Sequence, residues 1–393
     1  FTAKEIAGVA IENFIKSIDQ DTEEKLTRRD ESKLVSLFPT GGTTGDSKLA
    51  EWGYLTWQSM VSIQIELMPE PDIPSCYLVS APMTHAAGVA SFAPILQGSN
   101  IVVMEGMIPD ILLSVIEKYK VTHLFLPPTA IYMLLAHEGV RNYDYSSLRY
   151  FWYAAAPMSV EKLKEAIEVF GPVMVQTYGQ AESPMVCTFL SVDDHVHAVE
   201  SGDSSRIRSC GKTAPHIDLA ILDDDGNTLP AGKEGEIAVK GDLIMRCYFN
   251  NPDATQEIRV NGWQKTGDVG VFDNDGYLSI VDRKRDMIIS GGFNVYPGEI
   301  EQLIWGHPAI KDCAVIGIPD EKWGEQVTAV VELKEAAIKP NTQEIIELCK
   351  QKLGSVKSPK EILIWDELPR SSVGKVLKKE IRKYFWDKLD RKI

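Results

Sequence analysis

A chain of 393 residues, 44% hydrophobic and 25% charged, has the composition of a folded globular protein and enough length for roughly two or three domains. Its formal charge of -15 makes a surface that repels nucleic acid and anionic lipid, so neither is expected as a main partner. Six cysteines without CxxC spacing argue against a zinc site or a disulfide framework and fit a reducing compartment.

The first element with a chemical message follows the strand-like LVSLF. It is the stretch LFPTGGTTGDSKLAEW, residues 37–52. Its glycines accept positive φ and let backbone N–H groups approach an anion, the threonines add hydroxyl donors, and Lys48 adds a mobile cation. A Walker A loop needs Gly-Lys-Ser/Thr, whereas Asp46 and Ser47 precede Lys48 here. The stretch reads as a phosphate loop, with a flexible surface loop as the alternative.

Buried strands ending in loops are expected at CYLVSAP (76–82), HLFLPP (123–128), YFWYAAAP (150–157) and PVMVQTYG (172–179). Between them, residues 109–119 read as a helix, and Val160, Leu163, Ile167 and Phe170 recur on one helical face. Such alternation predicts a mostly parallel sheet covered by helices, with ligands bound beyond the C-terminal ends of the strands. His195 and His197 form an HVH pair that reads as a surface loop rather than a metal site.

From about Gly211 the texture changes. ILDDDGNTLPAGKEGEIAVKG (221–241) and VFDNDGYLSIVD (271–282) are strands broken by Asp-Gly turns, the mark of antiparallel hairpins. After Asp286 helices return between strands (297–305, 313–319, 327–333, 342–353 and 361–369), which reads as a small α/β domain beyond a boundary at DRKRD, residues 282–286. There is no internal repeat, no signal peptide and no apolar run of the roughly 18 to 20 residues that span a bilayer. A cytoplasmic protein without integral membrane association is therefore expected.

Taken together, TGGTTGDSK, YAAAPMS, QTYGQAE, KTGDVGVFDNDGYLSIVDRKRD, SGGFNVYPGEIE and PRSSVGKVLKKE resemble, in order and spacing, the adenylate-forming superfamily of acyl-CoA synthetases, luciferases and peptide-synthetase adenylation domains. The resemblance runs from about Val35 to Tyr384 and is strongest to fatty-acid and aryl-acid CoA ligases, of which SGGFNVYPGEIE is typical. It implies an α/β fold: a large N-terminal domain, 1–284, of parallel-sheet α/β layers, with a small antiparallel β-barrel-like subdomain at about 211–284. A small mobile α/β C-terminal domain, 285–393, would follow. The phosphate loop lies closer to the N-terminus than in that superfamily, which implies that a sizeable part of the first subdomain is absent.

The resemblance also implies an AMP-forming acid:CoA ligase using ATP, Mg²⁺ and coenzyme A, with a small carboxylic acid as partner substrate. Thr40, Gly41, Gly42, Thr43, Thr44 and Lys48 would hold the β- and γ-phosphates, and Glu182 would be the magnesium carboxylate. Ala155, Ala156 and Pro157 would line the adenine, Tyr178 would stack on it, and Gly179 would pass the acyl chain. Asp268 would receive the ribose hydroxyls with Arg283 as a second ribose contact. Lys375 would reach the α-phosphate from the small domain, and His85 would gate thiol access. Arg285 would be the hinge, and Gly291, Gly292 and Phe293 would line the pantetheine channel. Each has a plainer reading: a solvated acid at a helix start for Glu182, a surface cation for Lys375, a buried structural histidine for His85, ordinary turns for the glycines. Ser47 and Leu49 stand where the superfamily has Pro and Gly, Ala181 where it has Thr, and Asp282 where it has Gly. Ala181, Ser47 and the short start keep open a nucleotide-binding pseudoenzyme or regulatory fragment, and within the enzyme class the alternative is one that loads a carrier-protein phosphopantetheine.

Overall fold

Two strands in which every residue is buried, Cys76–Val79 and His123–Leu126, lie inside a parallel sheet. Strands hidden on both faces lose the in–out alternation and read as continuous apolar runs, as these do. The computed structural model describes residues 33–40, 48–81, 83–156, 158–320, 322–335, 338–370 and 376–386. It divides into two units. One comprises Phe1–Ser36, Trp52–Thr177 and Ser191–Ser204; the other Leu37–Glu51, Tyr178–Leu190 and Ser205–Ile393.

In the first unit the strand order is Asn100–Val103, Cys76–Val79, His123–Leu126, Tyr150–Tyr153 and the part of Met174–Gln180 up to Thr177, all neighbours parallel. The helix Val160–Phe170 starts at Ser159, whose hydroxyl accepts from the Lys162 N–H at 3.2 Å, and buries Leu163, Ala166 and Phe170. Phe170 meets Phe151 of the sheet edge-on at 5.0 Å between ring centroids. Each such buried side chain contributes about 1.5–3 kcal/mol of apolar transfer. The helix Pro109–Tyr119 opens on a proline at its first turn and closes on Lys120 in the left-handed conformation.

The HVH pair is not in a loop. It lies on the helix Val192–Ser201, started by a capping box between Ser191 and Asp194. His195 faces the core at 1% exposure, its Nδ1–H donating to the Ser191 carbonyl at 2.7 Å and its Nε2 accepting from the Tyr153 hydroxyl at 2.9 Å. Two residues on, His197 falls on the exposed side. A 3.6-residue period separates neighbours two apart onto different faces, and the pair shares no site. No cluster of three or more metal-ligating side chains occurs among the described residues.

In the second unit an antiparallel sheet runs Asp218–Leu222, Gly235–Lys240, Trp263–Phe272, Arg259–Val260, with Leu278–Arg283 also paired to Trp263–Phe272. The hairpins turn where the sequence places Asp-Gly: Gly226 and Gly276 both have φ of +82°. The described strands pair as an open, branched sheet rather than a closed barrel. A short pair, Cys247–Tyr248 against Leu49–Gly53, sits apart from it. The C-terminal sheet is built on the long hairpin of Ile310–Asp320 and Gly324–Leu333, with Glu361–Trp365 added in parallel. One core lies among Ile300, Ile304, Val315, Val327, Ile345 and Cys349. The other gathers Ala314, Ile316, Val330, Leu368 and Ile381, the last from the helix Lys378–Trp386. All six cysteines are free thiols, and no described helix is long and apolar enough to cross a membrane.

Candidate active site

Several residues named from the sequence meet in the second unit. The strand Met174–Gln180 ends at a tight two-residue turn, Ala181 and Glu182, before Ser183–Leu190 returns. Tyr178 and Gly179 thus lie in the strand expected there, and Glu182 is a turn residue, not the start of a helix. Gly179 is needed for closeness: a Cβ there would lie 2.6–2.9 Å from backbone atoms of Met185.

Glu182 is held at three points. Its backbone carbonyl accepts from the Met245 N–H at 2.8 Å and from Gln264 Nε2 at 2.6 Å, and its Oε1 accepts from the Tyr248 hydroxyl at 2.7 Å. Its other carboxylate oxygen takes no hydrogen bond among the described residues. Lys48 lies on the same side, its Nζ 4.7 Å from the centroid of the Tyr248 ring. The Thr40 N–H donates to the Lys48 carbonyl at 2.8 Å, joining the described residues on either side of 41–47.

Asp268 lies in the strand Trp263–Phe272, opposite Arg283 in the register of Leu278–Arg283. Its Oδ2 accepts from the Tyr178 hydroxyl at 2.7 Å, and Arg283 Nε stands 3.5 Å from Oδ1. The Asp268 N–H donates to Thr266 Oγ1 at 3.2 Å, and Gly267, at φ +76°, donates to Glu236 Oε1 at 3.2 Å. Burial raises the Asp268 carboxyl above its ordinary range, against the opposing pull of the Tyr178 hydrogen bond, Arg283 and Arg285. Burial also pushes the Tyr178 phenol well up, and the adjoining carboxylate adds to it. Tyr178 therefore stays a neutral donor to an acceptor that is costly to leave unpaired. The Arg285 guanidinium, lowered by burial and by Arg283, feels the carboxylates of Asp286, Asp268 and Glu182.

The remaining candidates are placed as follows. Gly291 and Gly292, at φ +59° and +82°, make the two-residue turn between Ile288–Ser290 and Phe293–Val295. A Cβ on Gly291 would strike the Trp323 ring at 2.7 Å, and Phe293 beside it is 60% exposed. In the first unit, Ala155 and Ala156 are exposed after the strand Tyr150–Tyr153, with Ala155 at φ +74°. His85, also there, is exposed rather than buried, beside Thr84 Oγ1 at 3.0 Å. Gly41, Gly42, Thr43, Thr44, Pro157 and Lys375 lie outside the described residues.

Sequence reading missed Tyr248, Gln264 and Thr266. Tyr248 and Gln264 act on Glu182 across the fold, where no spacing in the chain signals it, whereas Thr266 accepts from the Asp268 N–H only two residues on. Gln264 is fully buried, with Nε2 on the Glu182 carbonyl and on Ser183 Oγ at 3.1 Å.

A carboxylate with one oxygen held and one open suits a hard cation that brings most of its oxygen ligands as water and phosphate, as Mg²⁺ does.

The described residues thus set a half-buried carboxylate capped by one phenol and a second carboxylate bonded by another. The chain belongs to the AMP-binding enzyme family: the family model matches residues 4–249, and that of the AMP-binding enzyme C-terminal domain matches 299–375. Among its relatives, the medium/long-chain-fatty-acid–CoA ligase FadD8 of Mycobacterium tuberculosis is 40% identical over 92% of this chain and 63% of its own length. A feruloyl-CoA synthase of Amycolatopsis is 35% identical over 89% of this chain and 69% of its own. The chain thus spans only about two thirds of the proteins it matches. The solved structure of O-succinylbenzoate coenzyme A synthetase (MenE) from Bacillus subtilis with ATP and magnesium ion superposes with a TM-score of 0.79 at 28% identity. That match covers 91% of this chain and 71% of MenE.

Proposed function

We propose that the protein is an AMP-forming acid:CoA ligase. The observation that carries this reading is the pair of tyrosine-aimed carboxylates, Glu182 and Asp268, set in one unit with Lys48, Arg283 and Arg285. In the first half-reaction a carboxylate oxygen of the acid attacks the α-phosphorus of ATP. The P–O bond to the β-phosphate breaks, and pyrophosphate leaves with the electron pair. Anions are brought together, so the residues must neutralise charge and align groups more than move protons. Thr40 and Lys48, with Gly41, Gly42, Thr43 and Thr44, hold the β- and γ-phosphates. Asp268 receives the ribose hydroxyls with Arg283 beside it, Tyr178 supports the adenine, and Ala155, Ala156 and Pro157 line it. Glu182 would hold Mg²⁺, which when bound would supply charge neutralisation on the phosphates. Lys375 donates to the α-phosphate and the acid.

In the second half-reaction the coenzyme A thiolate attacks the acyl carbonyl, the C–O bond breaks, and AMP leaves. Residues 285–393 act as a mobile domain turning at Arg285, Gly291 to Phe293 flank the pantetheine, and His85 gates its approach. The relatives' names support an acid without an amino group, fatty or aromatic.

The test is pyrophosphate release from ATP with a panel of fatty and aryl acids, followed by thioester formation on coenzyme A. Acid-dependent release of both products is expected. ATP binding without acid-dependent pyrophosphate would leave a nucleotide-binding pseudoenzyme. Pyrophosphate with thioester formed only on a phosphopantetheinyl carrier would make the chain a carrier-loading enzyme.

A further inference from the structure

The geometry points to Tyr248 as a positioning residue that sets the metal-facing oxygen of Glu182 and the phosphate-facing ammonium of Lys48 with one side chain. This inference rests on the roles proposed above for those two groups. Tyr248 is 6% exposed, and three of its parts are engaged. The phenol O–H donates to Glu182 Oε1 at 2.7 Å. The ring face carries Lys48 Nζ at 4.7 Å from its centroid, within the range of a cation–π contact. The backbone N–H donates to Thr255 Oγ1 at 2.9 Å, and the residue pairs with Ala50 in the short strand that leaves Lys48. The following N–H, of Phe249, donates to the Leu49 carbonyl at 2.8 Å.

The consequence is a division of labour at Glu182. Met245 and Gln264 fix its backbone carbonyl, but neither decides where the carboxylate points. Among the described residues only the phenol does, by taking Oε1 and leaving the other oxygen without a hydrogen bond. The ring meanwhile steers a long exposed lysine that would otherwise sample many rotamers. A carboxylate and an ammonium of opposite task are thereby kept apart, each on its own part of one tyrosine, instead of pairing with each other.

Two variants separate the parts. Tyr248→Phe removes the phenol and keeps the ring; Tyr248→Leu removes both. The readouts are the Mg²⁺ concentration for half-maximal pyrophosphate release, calorimetric affinity for ATP in EDTA, and a melting curve. For Tyr248→Phe the Mg²⁺ requirement should rise about 10-fold, the usual scale for one hydrogen bond to a charged group, with metal-free ATP affinity unchanged. Tyr248→Leu should in addition weaken metal-free ATP binding about 3-fold, as expected of a partly exposed cation–π contact. In a Glu182→Gln background, Tyr248→Phe should add nothing to the Mg²⁺ requirement, because the two act as one unit. An unchanged Mg²⁺ requirement in Tyr248→Phe, where Glu182→Gln alone raises it, overturns the positioning role. A Glu182→Gln variant with wild-type metal dependence instead overturns the metal assignment of Glu182. A lowered melting temperature with equal losses in every readout makes Tyr248 merely structural and overturns the inference as well.

Discussion

His195 shows how the setting of one side chain creates a pH dependence that its sequence neighbourhood does not announce. Desolvation by burial lowers its pKa from 6.5 to about 4, against the weaker upward pull of its bond to Ser191 and of Asp194. His123 is likewise pushed down by burial to about 4. Above pH 6.5 both histidines are neutral whether the chain is folded or not, and their contribution to stability is fully present. Between 6.5 and about 4 only the unfolded chain binds the protons, so stability falls with falling pH by up to about 1.4 kcal/mol per pH unit per site. Below about 4 the loss is complete. Urea unfolding at several pH values should show His195→Gln losing less stability than wild type between pH 6.5 and 4.5. Equal slopes for the two proteins would mean that His195 is protonated as easily folded as unfolded. The sequence shows the HVH pair but cannot show which member faces inward, because that depends on where Tyr153 and the capping box set the helix phase.

The segment around Lys375 shows what an element adds to a motif. The described stems on either side of Lys375 are tied down by charged pairs, one to strands of the C-terminal sheet and one to the helix Pro297–Trp305. On one stem Arg370 reaches Asp312 at 2.7 Å and Glu332 at 2.9 Å. On the other, Lys378 Nζ lies 2.8 Å from Glu301 Oε1, whose carboxylate also accepts the Val315 N–H at 2.7 Å. Arg370 and Val376 bridge the stems antiparallel, and the Leu377 N–H donates to the Pro369 carbonyl at 2.8 Å. Glu301 is 5% exposed, so removing its cation leaves an uncompensated buried charge. Lys378→Met should destabilise the protein by about 3–5 kcal/mol in urea unfolding, and adding Glu301→Gln, which removes the charge but keeps an acceptor for the Val315 N–H, should recover most of that. A single variant as stable as wild type would mean the pair contributes nothing. The sequence presents Lys378 as one more cation in KVLKKE, because a buried partner from another helix leaves no mark on local spacing.

At the scale of the whole molecule the proposal turns on residues 282–286. Lys284–Asp286 form a 3-10 turn between the hairpin sheet and the C-terminal strands. Lys284 anchors the near side through Asp224 at 2.8 Å and Glu236 at 3.2 Å. Rotation of a domain concentrates on one or two such residues, and a 3-10 turn has φ close to the -65° or so that proline imposes. Arg285→Pro should therefore fold and hold one arrangement. Single-turnover pyrophosphate release should survive in it, while thioester formation from supplied acyl-adenylate and coenzyme A should fall sharply. If both half-reactions persist at wild-type rates, or both fail with a lowered melting temperature, Arg285 is a linker residue and no hinge.

What the sequence by itself determined is what depends on neighbours in the chain. Asp-Gly placed the hairpin turns at Gly226 and Gly276, the Gly-Gly pair placed the turn before Phe293, and the period of Leu163 and Phe170 placed a helix and its buried face. The motifs also named Tyr178, Glu182, Asp268 and Arg283, since each is a short string with its own local geometry. Only the tertiary structure decided which groups aim them. Tyr248 reaches Glu182 and Lys48 from a strand pair that joins distant parts of the chain, and Tyr178 reaches Asp268 from another sheet. The physical reason is range: turn and helix preferences are set within a few residues, whereas a phenol finds its carboxylate only after strands far apart in sequence have come into register.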